Sequence, residues 1–166
     1  LKQLPSLASL ALAPAPLPLI AAAARFAFNG VMRRHPELAD RLGDHRAKTF
    51  GFDPVDLPFA FVIRPEAGAI EAVRRLPAAL DAAASGPFFA LLALLEGRVD
   101  GDALFFSREI EVSGDMEAIL ALRNALDDCG IDLPTELAAS SGPLGPLMKA
   151  ACERVRARVL ERGAWN

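Results

Sequence analysis

Apolar and polar positions along this chain follow two rhythms, and each rhythm marks a kind of element. From Leu19 to Arg34 the residues Ile20, Ala24, Ala27, Phe28 and Val31 recur at helical spacing, and Pro18 suits a helix's first turn. Pro36 opens a second, short helix to Leu42, which Gly43 ends. Near Lys48 the period drops to two. Phe50 and Phe52 flank Gly51, Asp53-Pro54 marks a turn, and Pro58 to Arg64 reads as a strand. In that strand Phe59, Phe61 and Ile63 share one face, while Ala60 and Val62 lie on the other. A strand apolar on both faces has to be covered on both; helices on one side and a cavity on the other would meet that need.

The pattern weakens and then returns. Ala69 to Arg75 has weak helical character, and Pro77 to Ala84 reads as a third strand in spite of its alanines. Ser85 or Gly86 then caps a helix with Pro87 in its first turn. Phe88, Phe89, Leu91, Leu92, Leu94 and Leu95 make that helix apolar nearly all round, so it is buried or meets a second apolar body. Gly97 to Asp102 is a polar turn. Ala103 to Ser113 is a strand region in which Leu104, Phe106, Ile110 and Val112 alternate onto one face together with Arg108. Asp115 starts a helix to Asp128, with Met116, Ile119, Leu120 and Leu126 at helical spacing. Gly130 to Pro134 breaks the chain. A last helix runs from about Gly145 to Arg162, with Leu147, Met148, Ala151, Val155 and Val159 as its apolar stripe and four arginines beside it on a solvated face.

The beginning of the chain differs from the rest. Gln3 to Ala24 carries no charge, and its length approaches the roughly 20 apolar residues of a membrane span. Pro5, Pro14, Pro16 and Pro18 exclude one regular helix through it. The reading is a short apolar helix at about Leu4 to Leu12 and a Pro-rich link. Such a segment packs on the domain, pairs with a second subunit or touches a membrane surface. The chain therefore divides into an apolar N-terminal segment (1–17), one domain (18–130) and a C-terminal linker and helix packed on that domain (131–166).

Composition narrows the function classes. With 52% apolar and 23% charged residues, a disordered chain is excluded. A net charge of −3 and the absence of a basic patch give no reason to expect nucleic acid. Cys129 and Cys152 do not make a disulfide framework and read as reduced thiols of a cytoplasmic protein. All ten Phe fall in five close pairs, and there is no Tyr. Phe brings apolar area without a hydroxyl to satisfy. These rings fill a core or line a cavity, and composition does not separate the two. Phe59/Phe61, Phe88/Phe89 and Phe105/Phe106 stand among apolar neighbours and are cavity candidates; Phe26/Phe28 and Phe50/Phe52 read as ordinary core. His35 and His45 have no partners at metal-ligand spacing. There is no Gly-rich phosphate loop and no nucleophile elbow. Cys152 has no His nearby in sequence, and Asp127-Asp128 reads as a helix-end charge cluster. No catalytic residue, metal ligand or cofactor is expected.

The run Asp102-Ala103-Leu104-Phe105-Phe106-Ser107-Arg108-Glu109-Ile110-Glu111-Val112-Ser113-Gly114-Asp115, with the helix after it, resembles the sterol carrier protein 2 family. The likeness is to its branch of bacterial ubiquinone biosynthesis accessory factors. The Pro-rich lead, the long helix and Asp56-Leu57-Pro58-Phe59 feeding a strand agree, and the order of elements matches from about Leu17 to Cys129. The resemblance implies an α+β fold, with a mostly antiparallel sheet and helices packed on one face, enclosing a hydrophobic tunnel. It implies non-catalytic carriage of a hydrophobic small molecule, either a prenylated quinone precursor or a phospholipid or fatty acid. On that reading the cavity lining is Phe59, Phe61, Ile63, Phe88, Phe89, Leu92, Leu95, Leu104, Phe106, Met116 and Leu120. Arg108 is either a solvated, ion-paired cation or the anchor of a polar headgroup at the cavity rim. The implied partners are the hydroxylating and methylating enzymes of oxygen-independent ubiquinone biosynthesis. A homodimer and a peripheral membrane contact are further expectations for a cytoplasmic, membrane-associated protein. The competing reading is a structural assembly module that has no cavity.

Overall fold

The computed structural model describes residues 17–95, 110–132 and 135–136. Expectations for the N-terminal segment, Leu104, Phe105, Phe106, Arg108, Cys152 and the last helix lie outside the described residues, as does the side chain of Phe89. The described elements are α1 (Leu17–Arg34), α2 (Leu38–Arg41), a 3₁₀ turn (Gly43–Ala47), β1 (Phe50–Pro54), β2 (Ala60–Arg64), β3 (Ala69–Val73), β4 (Ala82–Gly86), α3 (Phe88–Leu95), β5 (Glu111–Gly114) and α4 (Met116–Asp128). The strands form one five-stranded sheet in the order β3-β2-β1-β4-β5. Only the β1–β4 pair is parallel; the other three pairs are antiparallel. The α+β class and the mostly antiparallel sheet agree with the sequence reading.

Register assigns every side chain to a face. Phe50 pairs with Ile63 and Ala82, and Phe52 with Phe61 and Ala84. Phe61 in turn pairs with Ala72, Ile63 with Ile70, and Ala84 with Val112. Directly paired residues share a face. That face packs against Leu38, Leu42, Ala90, Leu91 and Leu94 and against Ala118, Ile119, Leu122, Ala125 and Leu126 of α4, forming one core. The alanines of β4 have a reason here. Ala82 and Ala84 are fully buried beside α3 and α4, whose Ala90 and Ala118 are also fully buried. Small side chains on both partners let helix and sheet approach closely.

Several sequence readings are corrected. Of Ala69 to Arg75, residues Ala69–Val73 are the edge strand β3, not a helix. It returns from β2 through a turn in which Gly68 adopts φ +57° and its N–H donates to the Pro65 carbonyl at 3.0 Å. Pairing with β2 overrides the weak helical preference of its Ala and Glu residues. The third strand starts at Ala82 instead of Pro77 and continues through Ser85 and Gly86, which therefore do not cap α3. Asp56, from the β1–β2 turn, takes that role: its Oδ1 accepts from Phe88 N at 2.9 Å. Phe26 is not core; it is 59% exposed. Phe26 and Phe28 sit two residues apart on α1, on nearly opposite sides of a helix, so both cannot face inwards. The side of β2 away from the helices is closed. Val62 is 1% exposed there, and Leu76 and Leu80 from the irregular 74–81 connection lie over Gly51, within 3.0 and 2.5 Å of where its Cβ would stand.

The β4–β5–α4 corner explains Gly114-Asp115. Gly114 has φ +76°, and a Cβ there would overlap the Asp81 carbonyl oxygen. That same carbonyl accepts from Asp115 N at 2.8 Å. The Asp115 side chain then caps α4, as the sequence predicts, with Oδ1 accepting from Ala118 N at 3.1 Å. Its Oδ2 pairs with Lys48. Asp81 Oδ2 also accepts from Thr49 N at 2.7 Å, which ties the start of β1 to the start of β4.

Candidate functional site

The apolar residues proposed from sequence fall into three groups. The first lies on the helix side of the sheet. Phe61 and Ile63 of β2 and Leu95 of α3 are half-buried and pack against the core. Phe59, 6% exposed, meets Phe61 edge to face, with ring centroids 5.5 Å apart and planes at 78°. The second group is the stripe Phe88, Leu92 and Leu95, which share one side of α3 at helical spacing and are all half-buried. Leu91 and Leu94 of the same helix are buried against the sheet. The third group is on α4: Leu120 is half-buried, but Met116 is 49% exposed in the first turn and stands outside any enclosed lining.

The incomplete cover of β2 is confined to one side. Ala60 and Val62 are buried, whereas Phe61 and Ile63 keep part of their surface. Val31 and Met32 from the end of α1 pack beside them on the same core, and Ile70 of β3 is half-buried next to Ile63. Met32 was not read from the sequence as a site residue. The signal was there: Met32 stands four residues after Phe28 on the stripe already identified.

The electrostatics place charge around this apolar region and not in it. Among the described residues no polar or charged side chain is buried. Arg34 pairs with Glu136, its Nε donating to Oε2 at 2.8 Å, and Arg41 with Asp128 at 3.0 Å. Arg64 meets Glu71 across β2 and β3 at 3.4 Å. The Lys48 ammonium, with the Ala118 N–H, holds the Asp115 carboxyl below its ordinary value. Burial, with the Glu37 carboxylate beside it, pushes the Cys129 thiol up, so the neutral thiol dominates and Cys129 makes a poor nucleophile. No group of three His, Cys, Asp or Glu among the described residues is arranged to hold a metal ion.

A half-covered apolar face suits contact with a hydrophobic molecule. The family model for the SCP-2 sterol transfer family matches residues 28–127. This chain belongs to that family. Among solved structures, one described as "UbiJ-SCP2 Ubiquinone synthesis protein" superposes with a TM-score of 0.57 at 18% identity, over 69% of this chain and 94% of the other. Sterol Carrier Protein 2 from Yarrowia lipolytica, in its apo form, gives 0.45 at 13% identity over 64% and 88%. At these identities the likeness to the UbiJ-SCP2 structure is one of fold. No curated protein is significantly similar in sequence. Membership of the SCP-2 family supports a lipid-binding role for the domain.

Proposed function

We propose that this SCP-2 domain holds a prenylated ubiquinone precursor in a tunnel on the helix side of its sheet, and presents it to the enzymes that modify it. The observation that carries this reading is the half-buried apolar set Phe61, Ile63 and Leu95 over an interior without polar side chains among the described residues. Transfer of a prenyl chain from water to such a lining is worth about 0.8 kcal/mol per buried CH₂. A long chain thus supplies several kcal/mol without a single polar contact. Phe88, Leu92 and Leu120 extend this lining, joined by Phe89, Leu104 and Phe106, and Arg108 meets the polar head of the cargo at the rim. The reading assigns no bond-making step to this chain. Support for the pathway comes from the likeness to the UbiJ-SCP2 structure, a ubiquinone synthesis protein, and from the Phe-Phe-Ser-Arg to Gly-Asp run of residues 105–115. The partners on this reading are the hydroxylating and methylating enzymes of that pathway.

Native mass spectrometry of protein purified without detergent, followed by lipid extraction, tests the proposal. A bound prenylated quinone precursor is the expected result. Phospholipid or fatty acid in its place would keep the carrier role and remove the pathway. An empty protein that also takes up neither class of lipid would sink the reading.

A further inference from the structure

The β1–β2 turn and the start of α3 meet at one end of the sheet. Val55 N donates to the Gly86 carbonyl at 3.0 Å, which prolongs the β1–β4 ladder. Asp56 Oδ1 accepts from Phe88 N at 2.9 Å, and this bond reaches past β4 to the helix itself. α3 brings no charge of its own to the joint. Its first turn holds no acidic residue and its last turn no basic one, so the Asp56 carboxylate answers the positive end of its dipole. Pro87, the single residue between β4 and α3, has no N–H to donate. The apolar face reaches the surface beside this joint. Phe88 begins the half-buried stripe of Phe88, Leu92 and Leu95, and Phe59 leads from the turn into its edge-to-face pair with Phe61. Val55 at the tip is 55% exposed, and Leu57 and Pro58 are half-buried. The other end of the sheet is tied many times over. There the Asp81 carbonyl lies against Gly114 and accepts from Asp115 N, the Asp81 carboxylate accepts from Thr49 N, and the Asp115 carboxylate holds both α4 and Lys48.

We propose that the corner between the β1–β2 turn and the first turn of α3 is the port through which cargo enters and leaves the apolar interior, and that Asp56 is the catch that holds it shut. Release of one carboxylate–N–H bond lets the first turn of α3 unwind and carry Phe88 outwards. Leu91 and Leu94, buried against the sheet, keep the rest of the helix in place. Val55 and Leu57 then shield the leading carbons of an apolar tail from water as it passes. Asp56 is a positioning residue in this scheme: it acts on Phe88 N and not on the cargo. The port rests on the cargo reading of the domain and adds to it where exchange takes place and what controls its rate.

Exchange kinetics of a fluorescent fatty-acid analogue in the full chain test the port. Asp56→Ala is expected to speed both uptake and release about fivefold, the factor that corresponds to an ordinary helix cap. Its equilibrium affinity is expected to match the wild type, because both directions cross the same opening. Asp115→Asn, which loosens the other end of the sheet, is expected to leave both rates unchanged. Asp56→Cys with Phe88→Cys, in a chain carrying Cys129→Ser and Cys152→Ser, places a reversible bond across the corner. The oxidised protein is expected to exchange about tenfold or more slowly than the same protein reduced. Equal rates in the oxidised and reduced forms overturn the port, and so does an Asp115→Asn variant that exchanges as fast as Asp56→Ala. A lowered affinity with slower uptake in Asp56→Ala also overturns it, because the carboxylate then belongs to the lining. A wild type that takes up neither the analogue nor a prenylated quinone precursor sinks the cargo reading and the port with it. Normal uptake at rates that no variant at the corner changes sinks the port alone.

Discussion

Gly114 and Gly51 both lack room for a side chain, but a methyl group would strike different things at the two positions. At Gly114 it meets the Asp81 carbonyl, a backbone atom fixed by its hydrogen bond to Asp115 N, and the backbone has positive φ. Gly114→Ala is expected to cost about 2 kcal/mol or more. At Gly51 it meets the ends of Leu76 and Leu80, which can rotate away, and Gly51→Ala should cost about 1 kcal/mol. Urea unfolding of the two variants measures the contrast, and an equal loss would mean that the 74–81 connection is as rigid as the sheet. Two Phe residues one strand apart give a second contrast. Phe50 is fully buried, and Phe50→Ala should cost about 3–5 kcal/mol. Phe61 pairs with Phe52 on the same face but is only half-buried. Phe61→Ala is expected to cost clearly less stability while lowering lipid uptake, as read by denaturation and by uptake of a fluorescent fatty-acid analogue. The pairing of Phe with apolar neighbours was legible in the sequence. Which ring of each pair is sealed was not, because that depends on what lies across the sheet.

An aspartate caps each of α3 and α4, and the two aspartates reach their helices differently. Asp115 caps α4 from the adjacent position, so Ser113-Gly114-Asp115 announces that helix in the sequence. Asp56 caps α3 from 32 residues away, which no local pattern reveals. Asp56→Ala is expected to destabilise by about 1 kcal/mol, the ordinary cost of a lost cap, and hydrogen exchange should localise the effect to the first turn of α3. Asp115 adds a pH dependence. Its carboxyl titrates below the ordinary value of 3.8, chiefly through Lys48. A depressed carboxylate stabilises the fold above the unfolded-state value, and this contribution is lost as the pH falls through the folded-state one. The melting-temperature gap between wild type and Asp115→Asn should therefore be constant near neutrality and shrink below about pH 4. In Lys48→Met, an NMR titration should find the Asp115 carboxyl moved back up; no movement would mean that the Ala118 N–H alone sets it.

Across the whole molecule, the sheet order brings β1 beside β4 with two strands and the 74–81 connection between them in sequence. Leu76 and Leu80 of that connection lie over Gly51 of β1. The Arg34–Glu136 pair joins the end of α1 to a residue 102 positions later and fixes where the chain passes after α4. Glu136→Gln should cost about 1 kcal/mol, since the Arg34 side chain is 44% exposed while that of Glu136 is 15% exposed, and salt should shrink the loss. A larger, salt-independent loss in denaturant unfolding would show that the pair is held in the interior.

The sequence by itself determined the mixture of helices and short strands, the α3 apolar run, the Asp115 cap and the family likeness carried by Gly114-Asp115, because spacing, caps and turn chemistry act between near neighbours. Tertiary structure alone decided that Ala69–Val73 is a strand, that the alanines of β4 lie buried under α3 and α4, that Asp56 serves α3, and that the side of β2 facing the helices, not the opposite side, keeps its aromatic surface partly open. Each of these depends on what a distant segment places against a residue, and local spacing carries no record of that.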